Sequence, residues 1–256
     1  MNRLLEHKVA LVTGGGRGIG AAIARAFAAE GARVVVCGRD RDTIGRVAAA
    51  VGGIAQQADI SVERQVVDLI GACRAAHGRL DILVNNAGLQ GPVGPAETMD
   101  LAAWDQTFAV NVRGVLLCIK HAVPLLRQSR GSIINISSRV GLSGFPTANR
   151  SAYQASKFAL TGLTEAVAQE LGPDGIRVNS LCPSAVKTEP ILASIARKAR
   201  AQGRSEAEVM RDEYEKVTAL GRMVEADEVA AAAVYLASDA AAAITGTHLK
   251  VDAAKR

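Results

Sequence analysis

Tyr153 and Lys157 stand four residues apart in the stretch Ser151–Lys157. On a helix that spacing stacks them on one face, one turn apart. A phenol normally ionises near pH ~10, too high for proton exchange at neutrality. An ammonium held beside it favours the phenolate, and the pair would then work as a general acid–base near pH ~7. A tyrosine anchored in a core next to a solvated lysine would show the same spacing, so the reading depends on the elements that position the pair.

Lys8–Thr13 is a short apolar, β-branched run and reads as a buried strand. It enters the glycine-rich turn Gly14–Gly20 and then an alanine-rich amphipathic helix ending near Gly31. Strand, glycine turn and helix together form a phosphate cradle. Gly14, Gly18 and Gly20 let the backbone turn tightly and approach a pyrophosphate, while the helix N-terminus offers N–H groups and positive dipole. Arg33–Gly38 is the second strand, and in a dinucleotide fold its end meets the adenosine ribose. No acid closes that strand. Arg39 follows it and Arg17 lies in the glycine turn, and two guanidiniums suit a 2′-phosphate, so NADP(H) is favoured. NAD(H) stays open, because Asp40 could reach the ribose.

Further strands are expected at Ile54–Asp59, Asp81–Asn86, Gly131–Ser138, Gly175–Cys182 and Thr247–Val251. Asp59 and Ile60 form a turn that could face the adenine. Val62–His77 is helical, and Leu101–Arg127 is a long helix interrupted near Asn111. The alternation predicts a doubly wound, seven-stranded parallel sheet with helices on both faces. Residues 1–256 show no repeat or linker and are expected to form one domain.

Composition narrows the function classes. The chain is 49% apolar and 21% charged but only 3% aromatic, which fits a core of small and branched aliphatics. Cys37, Cys73, Cys118 and Cys182 are far apart, and the four histidines do not cluster, so no metal site is expected. Reduced thiols and an N-terminus without an apolar signal region point to the cytoplasm. The apolar run Val229–Ala237 is too short to span a bilayer, and no membrane partner is expected. The net charge of +5 is scattered among acids rather than gathered in a patch, which argues against a nucleic-acid partner.

Taken in order, these motifs resemble the short-chain dehydrogenase/reductase family, and the resemblance covers nearly the whole chain. Thr13–Gly20 matches its TGxxxGxG, Asn85–Gly88 its NNAG, and Asn111 the setting of its asparagine. Ile136–Ser138 then precedes Tyr153-xxx-Lys157. The resemblance implies a Rossmann fold and an oxidoreductase, with a 3-oxoacyl-thioester reductase-like member foremost, an NAD-dependent dehydrogenase of a secondary alcohol, sugar or sterol-like compound as the alternative, and a non-catalytic nucleotide-binding protein as the remote one. It implies that Tyr153 is the acid–base, that Lys157 lowers its pKa and bonds the nicotinamide ribose, and that Ser138 bonds the substrate oxygen. Asn111 would help hold a proton-relaying water. The cofactor would lie on Gly14, Arg17, Gly18, Ile19, Gly20, Arg39, Asp59, Ile60, Asn86, Ala87, Gly88, Tyr153, Lys157, Pro183, Val186 and Thr188. The partners implied are a small carbonyl or alcohol substrate and three further copies in a homotetramer.

The sequence departs from the family pattern in three places. The Ser138–Tyr153 segment is about two residues longer than usual, with the extra length expected around Thr147–Arg150 and Ser137 or Ser143 as substitutes for Ser138. Pro183-Ser184 replaces Pro-Gly, and Val251-Asp-Ala-Ala replaces Val-Asp-Gly-Gly. Substrate choice is expected from Leu89–Pro95 and from a lid at about 184–217. Lid residues Arg197, Lys198, Arg200 and Arg204 could attract an anionic substrate, or form a solvated face.

Overall fold

The computed structural model describes residues 3–142 and 147–255. Seven parallel strands form its sheet: β1 (Val9–Thr13), β2 (Arg33–Gly38), β3 (Ile54–Gln57), β4 (Ile82–Asn85), β5 (Ser132–Ile136), β6 (Arg177–Pro183) and β9 (His248–Val251). Their order is β3-β2-β1-β4-β5-β6-β9. All seven expected strands are present, with ends within two residues of the expected ones. The sequence reading missed a two-stranded ribbon, β7 (Val186–Lys187) with β8 (Val224–Glu225), because two residues carry no periodicity.

Both sheet faces are covered, so the central strands are apolar throughout instead of alternating. In β1, Val9 and Leu11 point into one core and Ala10 and Val12 into the other. The first core is closed by α3 (Glu63–His77), α5 (Val115–Ser129) and α6 (Ser151–Leu171). The second is closed by α1 (Gly18–Ala29), α2 (Arg41–Ala50) and α9 (Ala226–Ala237). Burying side chains such as Leu11, Phe27 or Ile133 completely contributes about 1.5–3 kcal/mol each.

α4 (Leu101–Phe108) runs into α5 through a π-helical turn, Ala109–Gly114. Together Leu101–Ser129 is long and apolar enough to cross a membrane, with a mean hydropathy of 1.4. Its apolar side is packed against the sheet through Val115, Cys118, Ala122 and Leu126. Chain order reverses between β1 and β4, and ligands bind in the crevice beyond the strand ends at such a switch point. α7 (Glu189–Gln202) and α8 (Glu206–Met210) pack on each other in a small third cluster with Met223.

Candidate active site

The glycine turn and the end of β4 are tied into one knot. Asn86 Nδ2 donates to the carbonyls of Thr13 and Gly14, both at 3.0 Å. Thr13 Oγ1 accepts the backbone N–H groups of Asn86 (3.0 Å) and Ala87 (3.2 Å). No room is left for side chains: a Cβ on Gly14 would lie 2.8 Å from Ala87 Cα, and one on Gly20 would collide with the Gly14 carbonyl. Gly14 and Gly18 also have positive φ, +62° and +53°. Helix α1 starts at Gly18 without a side-chain cap or an acid in its first turn. Its free N–H groups and bare backbone fit a pyrophosphate. Thr188, at the start of the lid, has a side-chain carbon 3.4 Å from where a Gly18 Cβ would sit.

Arg17 and Arg39 are both exposed beside this cradle, and the Arg39 carbonyl is pinned by Gln57 Nε2 at 2.8 Å. Asp40 caps α2, its Oδ1 accepting from Asp42 N (3.0 Å) and Thr43 N (3.1 Å). Asp59 Oδ1 accepts from the backbone and hydroxyl of Ser61. The side chains of Ile60 and Val186 are only 3% and 4% exposed, so these two residues have only backbone to offer a cofactor. Pro183 closes β6, and Ile19 packs against the second core.

Helix α6 carries Tyr153 and Lys157 as the spacing predicts. Lys157 is 5% exposed, and its Nζ donates to the Ile136 carbonyl at 2.8 Å. That ammonium stands 5.7 Å from the centroid of the Tyr153 ring. Burial brings the Lys157 pKa down to about 8, opposed by Cys182. The Tyr153 phenol differs from the expectation. Burial raises it above its ordinary value, and the groups that counter this are Ser138, by a hydrogen bond, and Arg150, by charge. The Lys157 ammonium is turned to the Ile136 carbonyl, so desolvation outweighs the groups that favour the phenolate.

Ser138, the expected serine, reaches Tyr153 by a hydrogen bond despite the longer connection. Ser137 is 3% exposed and spends its hydroxyl on the Lys157 carbonyl at 3.1 Å. Ser143 lies outside the described residues. Asn111, in the π-helical turn, receives Leu89 N at 2.7 Å and donates to Leu89 O (2.8 Å) and Ser156 Oγ (3.0 Å). A Cβ on Gly88 would lie 3.3 Å from Asn111 Oδ1 and 3.7 Å from Lys157 Nζ, so these three meet at one point.

Thr147–Arg150 packs on the first substrate loop, through Gly94 N to Asn149 O (2.9 Å) and Arg150 Nη1 to Gln90 Oε1 (3.0 Å). Two of the four cations are answered by nearby acids, Lys198 by Glu213 and Arg204 by Asp212, both at 2.7 Å. This weighs against Lys198 and Arg204 gathering an anionic substrate. The sequence reading did not single out Arg150, whose charge acts on the Tyr153 phenol.

A family model described as enoyl-(acyl carrier protein) reductase matches residues 14–253. The chain belongs to the short-chain dehydrogenase/reductase family. It is 42% identical over 256 residues to a 3-alpha-(or 20-beta)-hydroxysteroid dehydrogenase of Mycobacterium tuberculosis, covering 98% of this chain and 90% of that one. It is 36% identical over 250 residues to the meso-2,3-butanediol dehydrogenase of Serratia marcescens, covering 96% and 94%. Among solved structures, the 3-ketoacyl-(acyl-carrier-protein) reductase of Brucella melitensis complexed with NADH superposes with a TM-score of 0.86 at 35% identity, covering 97% and 98%. This short-chain dehydrogenase/reductase is therefore an oxidoreductase with a nicotinamide cofactor, acting on CH–OH or C=O groups.

Proposed function

We propose that this enzyme is an NADP(H)-dependent carbonyl reductase with Tyr153 as the general acid. The observation that carries the reading is the Tyr153 phenol, kept protonated by burial and held by Ser138, above a buried Lys157. The bound nicotinamide supplies the hydride. Ser138 binds the carbonyl oxygen and Tyr153 protonates it. Lys157 then stabilises the remaining phenolate. Asn111 anchors the loop at Leu89 and the water that returns protons to Lys157. The cofactor lies along Gly14–Gly20, Asp59–Ile60, Asn86–Gly88 and Pro183–Thr188, and residues 184–217 act as the lid of a single domain.

NADP(H) preference rests on Arg17 and Arg39, and on Asp40, whose Oδ1 is spent capping α2. The second reading, an NAD-dependent dehydrogenase of a secondary alcohol, rests on Asp40 Oδ2, which makes no hydrogen bond among the described residues. Nicotinamide absorbance across a panel of carbonyls and alcohols separates the two. Turnover of a 3-oxoacyl thioester with NADPH, lost in Tyr153→Phe, supports the first. Turnover of alcohols with NAD alone would replace it with the second.

The sign of the pH response follows from Lys157. The ammonium is the working form and its pKa is held at about 8, so it is lost as pH rises through that value. The kcat/KM for reduction should fall above about pH 8. Homotetramer formation draws support from Leu101 (72% exposed), Leu116 (46%) and Phe158 (39%), large apolar side chains left open along α4, α5 and α6. Light scattering at the monomer mass would refute it. Four buried free thiols keep a cytoplasmic location the working expectation.

A further inference from the structure

The segment just before Tyr153 is latched to the first substrate loop. Arg150 Nη1 donates to Gln90 Oε1 at 3.0 Å, and Gly94 N donates to the Asn149 carbonyl at 2.9 Å. A Cβ on Gly91 would lie 3.5 Å from Ala152 Cβ, so the loop rests on the first turn of α6. Both halves of the latch lie close to the proposed catalytic groups. Arg150 directly precedes α6, about one helical turn before Tyr153. Gln90 follows Leu89, whose N–H and carbonyl are both bonded by Asn111, at 2.7 and 2.8 Å. Gly88, beside Asn111 and Lys157, has its Cα at most about 7.6 Å from that of Gln90.

Arg150 is an unusual residue for its place. It is the N-cap of α6, where a short oxygen-bearing side chain ordinarily accepts a backbone N–H. A guanidinium only donates, and α6 begins with no side-chain cap and no acid in its first turn. The positive pole of a 21-residue helix therefore stands next to a positive side chain. No ion pair among the described residues includes Arg150, whereas Arg127, Arg139 and Arg204 each meet a carboxylate. Its bond to Gln90 answers one N–H and no charge. Because a guanidinium cannot accept, Gln90 turns Oε1 to it and is left with Nε2, which only donates. Among the described residues Gln90 Nε2 and Arg150 Nη2 make no hydrogen bond. The half-buried Arg150 and the exposed Gln90 thus present donors alone and one unanswered positive charge. A carboxylate offers what they lack, two acceptor oxygens in one plane and a negative charge.

We propose that Arg150 and Gln90 form a carboxylate subsite, so that the substrate is an oxo acid or the matching hydroxy acid. The proposal deepens the reading above and rests on its assignment of Tyr153 as the acid–base. The guanidinium holds the carboxylate while the carbonyl carbon of the same molecule meets the nicotinamide. The Arg150 charge is felt at the Tyr153 phenol, which agrees with a subsite beside the reacting oxygen. The lengthened Ser138–Tyr153 connection also gains a role, since its last residues, Asn149 and Arg150, make the latch.

The test uses the full-length enzyme with NADPH and, in parallel, NADH. Pyruvate, acetoacetate and levulinate are each run against their methyl esters. The acid whose length fits should exceed its ester in kcat/KM on the order of 10-fold to 100-fold, as for a hydrogen bond to a charged group. Arg150→Gln should remove that preference through KM with kcat little changed, since the carboxylate is held alike before and during reaction. Arg150→Lys should restore part of it, having the charge without the fork. Gln90→Leu should cost less than Arg150→Gln. Acid and ester used equally in all three pairs, or a preference that survives Arg150→Gln, would overturn the inference. Calorimetry of butyrate and butyramide on the NADPH complex reads the subsite without turnover. Butyrate alone should bind, and Arg150→Gln should lose it; equal binding of the two, or butyrate binding unchanged in the variant, would overturn the inference as well. Tyr153→Phe keeps the two readings apart. Turnover retained there sinks the catalytic assignment and leaves butyrate binding to judge Arg150, whereas a dead Tyr153→Phe beside a wild type indifferent to the carboxylate sinks this inference alone.

Discussion

Left-handed backbone occurs in both the phosphate turn and the tail, and of these two only the phosphate turn uses glycine. In the phosphate turn, φ is +62° at Gly14 and +53° at Gly18. In the tail, φ is +52° at Ala253 and +49° at Ala254. A residue with a Cβ loses about 1–2 kcal/mol in that region. The tail tolerates it because its polar groups are held. Ala254 N donates to Asp252 Oδ1 (3.0 Å), and the carbonyls of Ala253 and Ala254 each accept from Ala219 N at 3.1 Å. Asp252 also meets the buried Arg139, next to Ser138, at 3.2 Å. The difference separates two demands. The phosphate turn must leave space for another backbone and a ligand, which no compensating bond can create. The tail only has to be strapped down, so strain there can be offset.

If that distinction holds, the largest effect comes from filling space in the turn. Gly20→Ala would drive a methyl into the Gly14 carbonyl and Asn86 Nδ2, undoing the knot between β1 and β4. Overpacking of this kind costs about 1–3 kcal/mol of stability. With the cofactor on the same atoms, as proposed, its Kd should rise on the order of 100-fold, about 2.8 kcal/mol. Quenching or enhancement of NADPH fluorescence on titration reads the affinity, and thermal unfolding reads the stability. Wild-type values for both would mean the turn has room to spare.

The next effect comes from unstrapping the tail. In the Arg139–Asp252 pair the side chains are 5% and 11% exposed, so water screens it poorly. Asp252→Asn keeps the shape and removes the charge. Breaking a buried pair costs about 3 kcal/mol, and each kcal/mol lowers Tm by roughly 2–4 °C in a chain of this size. Because Ala219 and Leu220, just beyond the proposed lid, hang on the tail carbonyls, that lid should loosen as well, raising KM more than it lowers kcat. An unchanged Tm would show that the strap is held elsewhere.

Much of this architecture is legible in the sequence because the period of each element reports its burial. β1 is apolar without alternation, which is what a strand covered on both faces requires, and the glycines after it mark where backbone must meet backbone. Tyr153 and Lys157 are legible because helical spacing is rigid. What the residues alone do not reveal depends on contacts between distant segments. Nothing near Asp252 announces Arg139, and nothing near Gln90 announces Arg150. The Tyr153 phenol shows the same limit. Its neighbour four residues on suggested a lowered pKa, but burial, which belongs to the whole fold, raises it instead.

The smallest effect is also the one that tests the comparison from the other side. Glycine at 253 or 254 would relieve the left-handed cost of about 1–2 kcal/mol, but it also frees the unfolded chain, which gives back about 0.4–1 kcal/mol. The net gain should be near 0.5 kcal/mol for each of Ala253→Gly and Ala254→Gly, or a Tm higher by roughly 1–2 °C. The hydrogen bonds to Ala219 and Asp252 use backbone and the Asp252 carboxylate, so glycine keeps all of them. In the Asp252→Asn background the gain should shrink, because a loosened tail can already leave the left-handed region. A gain of the same size in both backgrounds would mean that the strap is not what holds the strained alanines, and the contrast between the two turns would rest on glycine content alone.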